Sequence, residues 1–326
     1  MICPGCYKAI TSGYCLQCRK KLLDGSRVLP ELDFAAPQDN NIGIFQEQIK
    51  RLSISGVQMK YSLKREHNAL VLTDKGGQYI LKPIPPSLIS YPDQAPENEH
   101  LTMQIAERVF KIDVAPNALI YFKDKKPAYL TKRFDLKADG RKYLQEDFAQ
   151  ISGRTKKSHG EQFKYDGTYE EIGLLIKANV AAYMPALEAF FKLVLFNYLF
   201  SNGDTHMKNF SLMYTGMEYM LTPAYDLMCT VVHTPTESDT ALDLFTGDME
   251  TDYFQTYGHY GYDHFVELAK RIGILDIRAK KIIRDMLGKQ KEVEQMIEMS
   301  FLNAEVKEIY LAAFIDKQKR FPKFKS

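Results

Sequence analysis

Tryptophan is absent from this sequence, and its aromatic content rests on 20 tyrosines and 19 phenylalanines. A charge of one sign is lacking too: 43 Lys and Arg stand against 41 Asp and Glu, a net charge of +2. No global field therefore commits the chain to nucleic acid or to a membrane surface. The N-terminus has Cys, Pro and Gly where an export signal needs an apolar core, so secretion is not expected. The longest apolar run, Met184 to Phe200, is interrupted by Glu188, Lys192 and Asn197. It is too short and too charged to cross a bilayer and reads as a buried helix. Internal repeats and low-complexity tracts are missing as well. These absences leave a soluble, cytoplasmic protein without a membrane partner, and 326 residues are enough for two lobes, each with a core.

Cysteine is scarce beyond the first eighteen residues, where only Cys229 occurs and reads as a packed core thiol. The other four form Cys3-Pro4-Gly5-Cys6 and Cys15-Leu16-Gln17-Cys18. Two Cys-x2-Cys pairs suit a closed, tetrahedral zinc site of four thiolates with a structural role. Two disulfides are the competing reading, which a reducing cytosol disfavours. A module this small cannot bury a core of its own, so the metal is expected to supply its folding energy. Residues 1–24 are therefore read as a zinc knuckle and 25–49 as a linker with little regular structure.

Partial alternation over Arg51 to Leu63 predicts a strand, a turn at Gly56 and another strand. Ala69–Thr73 and Gln78–Pro83 read as a hairpin closed by Asp74-Lys75-Gly76-Gly77, with Lys82 at the end of the second strand. A proline-rich loop precedes a helix from Glu97, whose apolar face carries Leu101, Ile105, Ala106, Val109 and Phe110. Ala118–Phe122 and Ala128–Phe134 read as two more strands. Beyond residue 140 the pattern turns helical, at Glu146–Ile151, Tyr169–Ala178 and the run ending at Phe200. A short hairpin is expected over Ser211–Leu221, a mobile loop within 231–262, and four closing helices from Tyr262 onward. After the apolar helix comes Asn202-Gly203-Asp204-Thr205-His206-Met207-Lys208-Asn209, and later Asp226 in Pro-Ala-Tyr-Asp-Leu. An Asp, an Asn five positions on and a second Asp are the polar core of kinase-type phosphoryl transfer.

With these parts in order, the chain resembles the HipA family of bacterial Ser/Thr kinases, the toxin half of a toxin–antitoxin system. The resemblance is carried by Ser53-Ile54-Ser55-Gly56-Val57-Gln58-Met59-Lys60, Ile80-Leu81-Lys82-Pro83, Asn98-Glu99, Lys132-Arg133-Phe134-Asp135, Glu146 to Gln150, Asn202 to Ser211 and Pro223 to Leu227. It implies an α+β, two-lobed protein-kinase-like fold: a β-rich N-lobe over 50–135 and a larger, all-helical C-lobe over 136–326. Asp204 would be the catalytic base or the orienting carboxylate for a protein hydroxyl, and Asn209 and Asp226 would ligate magnesium. Lys82, paired with Glu99, would contact the ATP phosphates. Lys132 and Phe134 would offer hinge backbone groups to adenine, with Asp135 near the ribose. His206 would either reach the nucleotide or brace its loop.

The loop at Ser55, Gly56 and Val57 has one glycine where protein kinases have three. In the family it carries an autophosphorylated serine, which falls here at Ser53, with Ser55 a second candidate. A phosphoserine adds up to about −2 charge and would repel ATP phosphates. The short region before that loop resembles the HipT-like members, whose N-terminal subdomain is a separate small protein. The implied partners are a protein substrate, in this family an aminoacyl-tRNA synthetase, and a helix-turn-helix antitoxin that brings DNA in indirectly. A non-catalytic kinase-like regulatory module and a small-molecule or lipid phosphotransferase of similar fold are the alternatives.

Overall fold

The computed structural model describes residues 1–37, 59–85 and 89–321. The loop holding Ser53, Ser55, Gly56 and Val57 lies outside the described residues, as does the strand expected there. The N-lobe is a five-stranded antiparallel sheet in the order β2-β1-β3-β5-β4. Its strands are β1 (Tyr61–Glu66), β2 (Ala69–Leu72), β3 (Tyr79–Pro83), β4 (Asn117–Tyr121) and β5 (Pro127–Lys132).

The hairpin expected between β2 and β3 does not form. Both strands pair with β1 instead, Leu63 standing opposite Leu72 on one side and Tyr79 on the other. A two-residue turn at His67-Asn68, with His67 in the left-handed region at φ 53°, closes β1 onto β2 first. The segment Asp74–Gly77 then crosses β1 to reach its far side. That crossing is tight: a Cβ on Gly77 would fall 1.7 Å from Ser62 Oγ.

Period-two alternation gives the sheet two buried faces. Tyr61, Leu63, Leu81, Ala128 and Leu130 join one core with Tyr14, Leu22, Leu23, Val28, Leu32 and Ala36. The N-terminal residues thus form a covering layer on the sheet, including α1 (Leu16–Leu23). The knuckle shares the N-lobe's core instead of folding as a coreless module on metal alone. Within the expected linker, residues 30–34 run along the outer edge of β4: Leu32 N–H donates to Tyr121 O and Tyr121 N–H to Pro30 O. Tyr14 Oη donates to Leu119 O at 2.7 Å, fastening the knuckle to the same strand.

The opposite face, through Tyr129, packs on α2 (Ala95–Arg108). Pro96 near the start of α2 leaves no donor unsatisfied there. The helix is buried over most of its length and sits between sheet and C-lobe.

The C-lobe is built on α6 (Tyr183–Leu199), which follows α5 (Tyr169–Asn179). Phe196 stacks on Phe200 and Phe200 on Phe314, with centroids 4.4 and 4.8 Å apart, and Phe110 meets Phe196 and Phe200 edge-on. Around it pack α8 (Tyr262–Arg271), α9 (Asp276–Leu287), α10 (Gln290–Met299) and α11 (Ala304–Lys319). The lobe is not wholly helical. A three-stranded sheet joins β6 (Leu144–Asp147) to β7 (Ser211–Tyr214) and β8 (Tyr219–Leu221).

The helix expected from Glu146 shortens to α3 (Phe148–Ile151), because Asp147 is its N-cap: Asp147 Oδ1 accepts from Gln150 N–H and Gln150 Oε1 from Asp147 N–H. The basic stretch after it contains one turn, α4 (Lys156–His159). Residues 231–262 are packed and not an open loop: Leu242, Leu244, Phe245 and Tyr260 are core, and α7 (Asp252–Tyr257) lies among them. Asp248 holds this stretch by accepting from Leu244 N–H at 2.6 Å.

Glu97 in the first turn of α2 is buried, with Oε2 unpartnered among the described residues, and burial pushes its carboxyl up to about 8. The folded state therefore holds a proton that the unfolded chain releases near pH 4.5, and stability falls as pH rises from there to 8. Glu97→Gln should raise the melting temperature at pH 8 and have little effect at pH 4.5, measured by thermal unfolding at both.

Candidate active site

Alternation along β3 turns Tyr79 and Leu81 toward the knuckle and Lys82 toward α2. There Lys82 Nζ meets Glu99 Oε1 at 2.5 Å and also bonds Asp226 Oδ1. Lys82 and Glu99 are almost fully buried, and Asp226 is partly so. Lys60 Nζ approaches the other Asp226 oxygen at 3.4 Å. Two cations and two carboxylates thus neutralise one another in a low-dielectric place. Burial opposes the charge on Asp226, but Lys60 and Lys82 outweigh it and hold its carboxyl well below the usual range. Burial likewise works against Lys82, whose two carboxylate partners raise it overall. Burial dominates at Glu99 and raises it despite Lys82. Asp226 has φ 57°, a left-handed backbone that turns it back to the cleft from the strand-like run after β8.

The loop after α6 supplies the opposite wall. Ser201, also left-handed at φ 49°, ends the helix, and Asn202 N–H donates to Asn197 O. Asn202 Nδ2 donates to Asn197 Oδ1 at 2.8 Å, and more weakly to Asp226 O, tying the loop to the second Asp. Gly203 is demanded by close approach: a Cβ would meet Ser238 O at 2.4 Å. Asp204 is exposed, and Tyr165 Oη donates to its Oδ1 at 2.5 Å. His206 is buried, and burial lowers it to about 4, so its ring is neutral at pH 7. His206 N–H donates to Asn209 Oδ1 at 3.0 Å, which aims the amide and leaves that oxygen a second lone pair. Lys208 is drawn off to Asp147 at 2.5 Å.

The hinge follows from one proline. Lys132 N–H donates to Pro116 O at 2.8 Å, but Pro116 has no N–H to return. The Lys132 carbonyl therefore lacks the ladder donor its register would give. Phe134 N–H makes no bond among the described residues, and its ring packs on Tyr225 with centroids 5.7 Å apart. A free carbonyl and a free N–H two residues apart can pair with the edge of a purine. Asp135 lines the same cleft but is held by Arg133 through a bidentate pair. The Lys132 side chain leaves the cleft for Asp24.

These groups line one cleft of about 620 Å³ between the lobes, large enough for a nucleotide. It brings together Lys82, Glu99, Lys132, Phe134, Asp135, Asp204, His206, Asn209 and Asp226 from the sequence reading. It adds Lys60, Tyr165, Asn202 and Thr230, which that reading did not assign. Lys60 stood in a quoted motif, so its type was visible though its partner was not. Tyr165 carried no signal, because only the fold brings its segment to the loop after α6. The oxygen donors of Asn209 and Asp226, beside a buried lysine, fit a hard divalent cation.

At the other end of the N-lobe, Cys3, Cys6, Cys15 and Cys18 bring their Sγ atoms within 4.8 Å of one another. A tetrahedron with metal–sulfur distances of about 2.3 Å has sulfur–sulfur edges of about 3.8 Å, so the donor set fits zinc. Cys15 N–H donates to Cys3 Sγ at 3.2 Å, as in a knuckle, and a Cβ on Gly5 would press on Cys18 Sγ at 2.8 Å. Cys229 lies apart from the cluster, buried, with its N–H on Asn98 Oδ1.

Residues 52–294 match the family described as the HipA-like C-terminal domain. A Haemophilus influenzae protein named "Putative kinase" is 29% identical over 309 residues, covering 89% of this chain and 87% of that protein. A similarly named protein of Sinorhizobium fredii is 32% identical over 229 residues, 64% of this chain, which spans only 53% of that relative. Among solved structures, HipA of Shewanella oneidensis, from a toxin–antitoxin complex with HipB and operator DNA, has a TM-score of 0.64 at 18% identity, over 91% of this chain and 74% of that one. The proinflammatory kinase CtkA of Helicobacter pylori has a TM-score of 0.52 at 14% identity, over 80% and 91%. At these identities they share the fold, which is kinase-like, as the sequence led us to expect. No helix among the described residues is long and apolar enough to cross a membrane.

Removing Lys82 strands two carboxylates beside Lys60 alone. Lys82→Met should cost about 3–5 kcal/mol in urea unfolding, since it leaves a buried charge uncompensated. Lys82→Met combined with Glu99→Leu should recover part of that loss.

Proposed function

The chain belongs to the family of the HipA-like C-terminal domain, and on that footing we propose that it is an ATP- and magnesium-dependent Ser/Thr protein kinase. The observation that carries this reading is the convergence of the Lys82–Glu99–Asp226 ion network, Asn209 and Asp204 on one cleft. Lys82, held by Glu99, meets the phosphates of the nucleotide. The Lys132 carbonyl and Phe134 N–H bind its base. Asn209 and Asp226 would hold magnesium, which when bound would supply positive charge against the transferring phosphoryl group. Asp204 orients the acceptor hydroxyl and takes its proton. A neutral His206 adds no charge near that hydroxyl and braces the loop through Asn209.

The acceptor class, in this reading, is a protein hydroxyl, an aminoacyl-tRNA synthetase in particular, and the protein acts in the cytoplasm as a toxin. A helix-turn-helix antitoxin is its partner, reaching DNA on its behalf, as supported by the HipB and operator DNA bound to the Shewanella protein of like fold. Ser53 or Ser55 is autophosphorylated, which silences the site. The four cysteines hold one structural zinc.

Incubation with Mg-ATP followed by mass spectrometry should find phosphate on Ser53 or Ser55, and Asp204→Asn should abolish it. Equal phosphate on the Asp204→Asn protein would overturn the assignment of Asp204. Metal analysis should find about one zinc per chain, as a single four-thiolate site requires. Stripping the metal should lower the melting temperature without unfolding the N-lobe outright, because the knuckle borrows the sheet's core. A metal-free protein with all four thiols reactive would remove the zinc.

A further inference from the structure

We infer that Tyr165 is a positioning residue for the acceptor side of the site, its hydroxyl fixing one oxygen of Asp204 so that the other meets the incoming hydroxyl. This rests on the kinase reading given above. Asp204 is exposed on a loop, and Tyr165 is the one side chain hydrogen-bonded to its carboxylate among the described residues. An exposed carboxylate held by nothing else turns freely about its last bond, whereas a base must stay within about 2.6–3.2 Å of its proton. Misplacement by about 1 Å costs on the order of 100-fold in rate.

Tyr165 is itself held. Its ring stands edge-on to His206, with centroids 5.2 Å apart and planes at 75°, and Lys164 Nζ lies 4.7 Å from its centre. His206 bonds Asn209 Oδ1 through its backbone, so one rigid chain of contacts links the acceptor carboxylate to the metal-binding amide. The segment carrying Tyr165 is seated on the catalytic loop. Lys208 Nζ lies 5.9 Å from the centre of the Phe163 ring, and a Cβ on Gly167 would come 3.1 Å from Met207 Sδ. Arg154 clamps the segment's far end by a bidentate pair with Glu171, at 2.6 and 2.9 Å. Burial, then the bond to Asp204, keeps the Tyr165 hydroxyl protonated and hence a donor.

The test is Tyr165→Phe, which keeps the ring and removes the donor. With a protein acceptor and Mg-ATP, kcat should fall about 10- to 100-fold, the scale for a misplaced catalytic group. The KM for ATP and the melting temperature should not change. In an Asp204→Glu background, which keeps a carboxylate for residual transfer but moves it off the Tyr165 hydroxyl, the same change should cost nothing further, an outcome that a merely structural role would not give. Unchanged kcat in Tyr165→Phe, a raised kcat, or equal losses in both backgrounds would each overturn the inference. If the variant is unstable, Gly167→Ala, which pushes the segment off Met207, should lower kcat in the same Asp204-dependent way, and an Asp204-independent loss counts against it. Transfer by the wild-type protein that disappears in Asp204→Asn but survives in Tyr165→Phe defeats this inference alone. No transfer by the wild-type protein defeats the kinase reading, and this inference with it.

Discussion

Lys82 is the constraint on which the rest of the site depends. A lysine buried between two carboxylates is tolerable only when every charge is matched, and the match here draws on three parts of the chain: β3, α2 and the turn at Asp226. Lys60, just before β1, supplies the fourth charge. Breaking any contact strands a charge in a place with little water, so the lobes are held in one relative arrangement by electrostatics as well as by packing. The same network aims Asp226 at the cleft.

Around this network the two lobes are stabilised differently. The C-lobe relies on apolar burial along α6, whose aromatic residues stack through Phe196 and Phe200 to Phe314. The sheet of the N-lobe has two faces to cover. One is taken by α2 and the other by the first 37 residues, which place Leu22, Leu23, Val28 and Leu32 on it. The four cysteines bring residues 3–6 and 15–18 of that cover together. Tyr7 continues the connection by bonding His100 Nδ1 at 2.9 Å, one residue beyond Glu99 on α2. The knuckle therefore braces the helix that carries the lysine's partner, from the side away from the cleft.

Most of the architecture was legible in the sequence because the helices and several strands carry strong periodicity. The run ending at Phe200, the closing helices and the strands around Ile120 and Leu130 fall close to where the pattern put them. The pairing of β2 was misread because a Gly-rich loop and a His-Asn turn compete locally. Only the burial of Leu63 on both ladders decides between them. Asp147 read as helix, since a cap residue and the turn it starts look alike in a pattern, whereas the backbone pairing of Leu144–Asp147 with β7 is non-local. The stretch 231–262 looked like loop for its Thr, Asp and Gly content, yet its few apolar residues are core.

For the site, the sequence by itself determined the chemical inventory: the lysine, the glutamate, two aspartates, the asparagine and four thiols at knuckle spacing. Residue types and short spacings suffice for that, because each motif is local. Tertiary structure decided the connections. It set Lys60 against Asp226, freed the Lys132 carbonyl by placing Pro116 opposite, committed Asp135 to Arg133, and brought Tyr165 to Asp204 across 39 positions. These depend on strand register and on how one segment lies over another. They are fixed by burial and packing of distant parts of the chain, which no local spacing encodes.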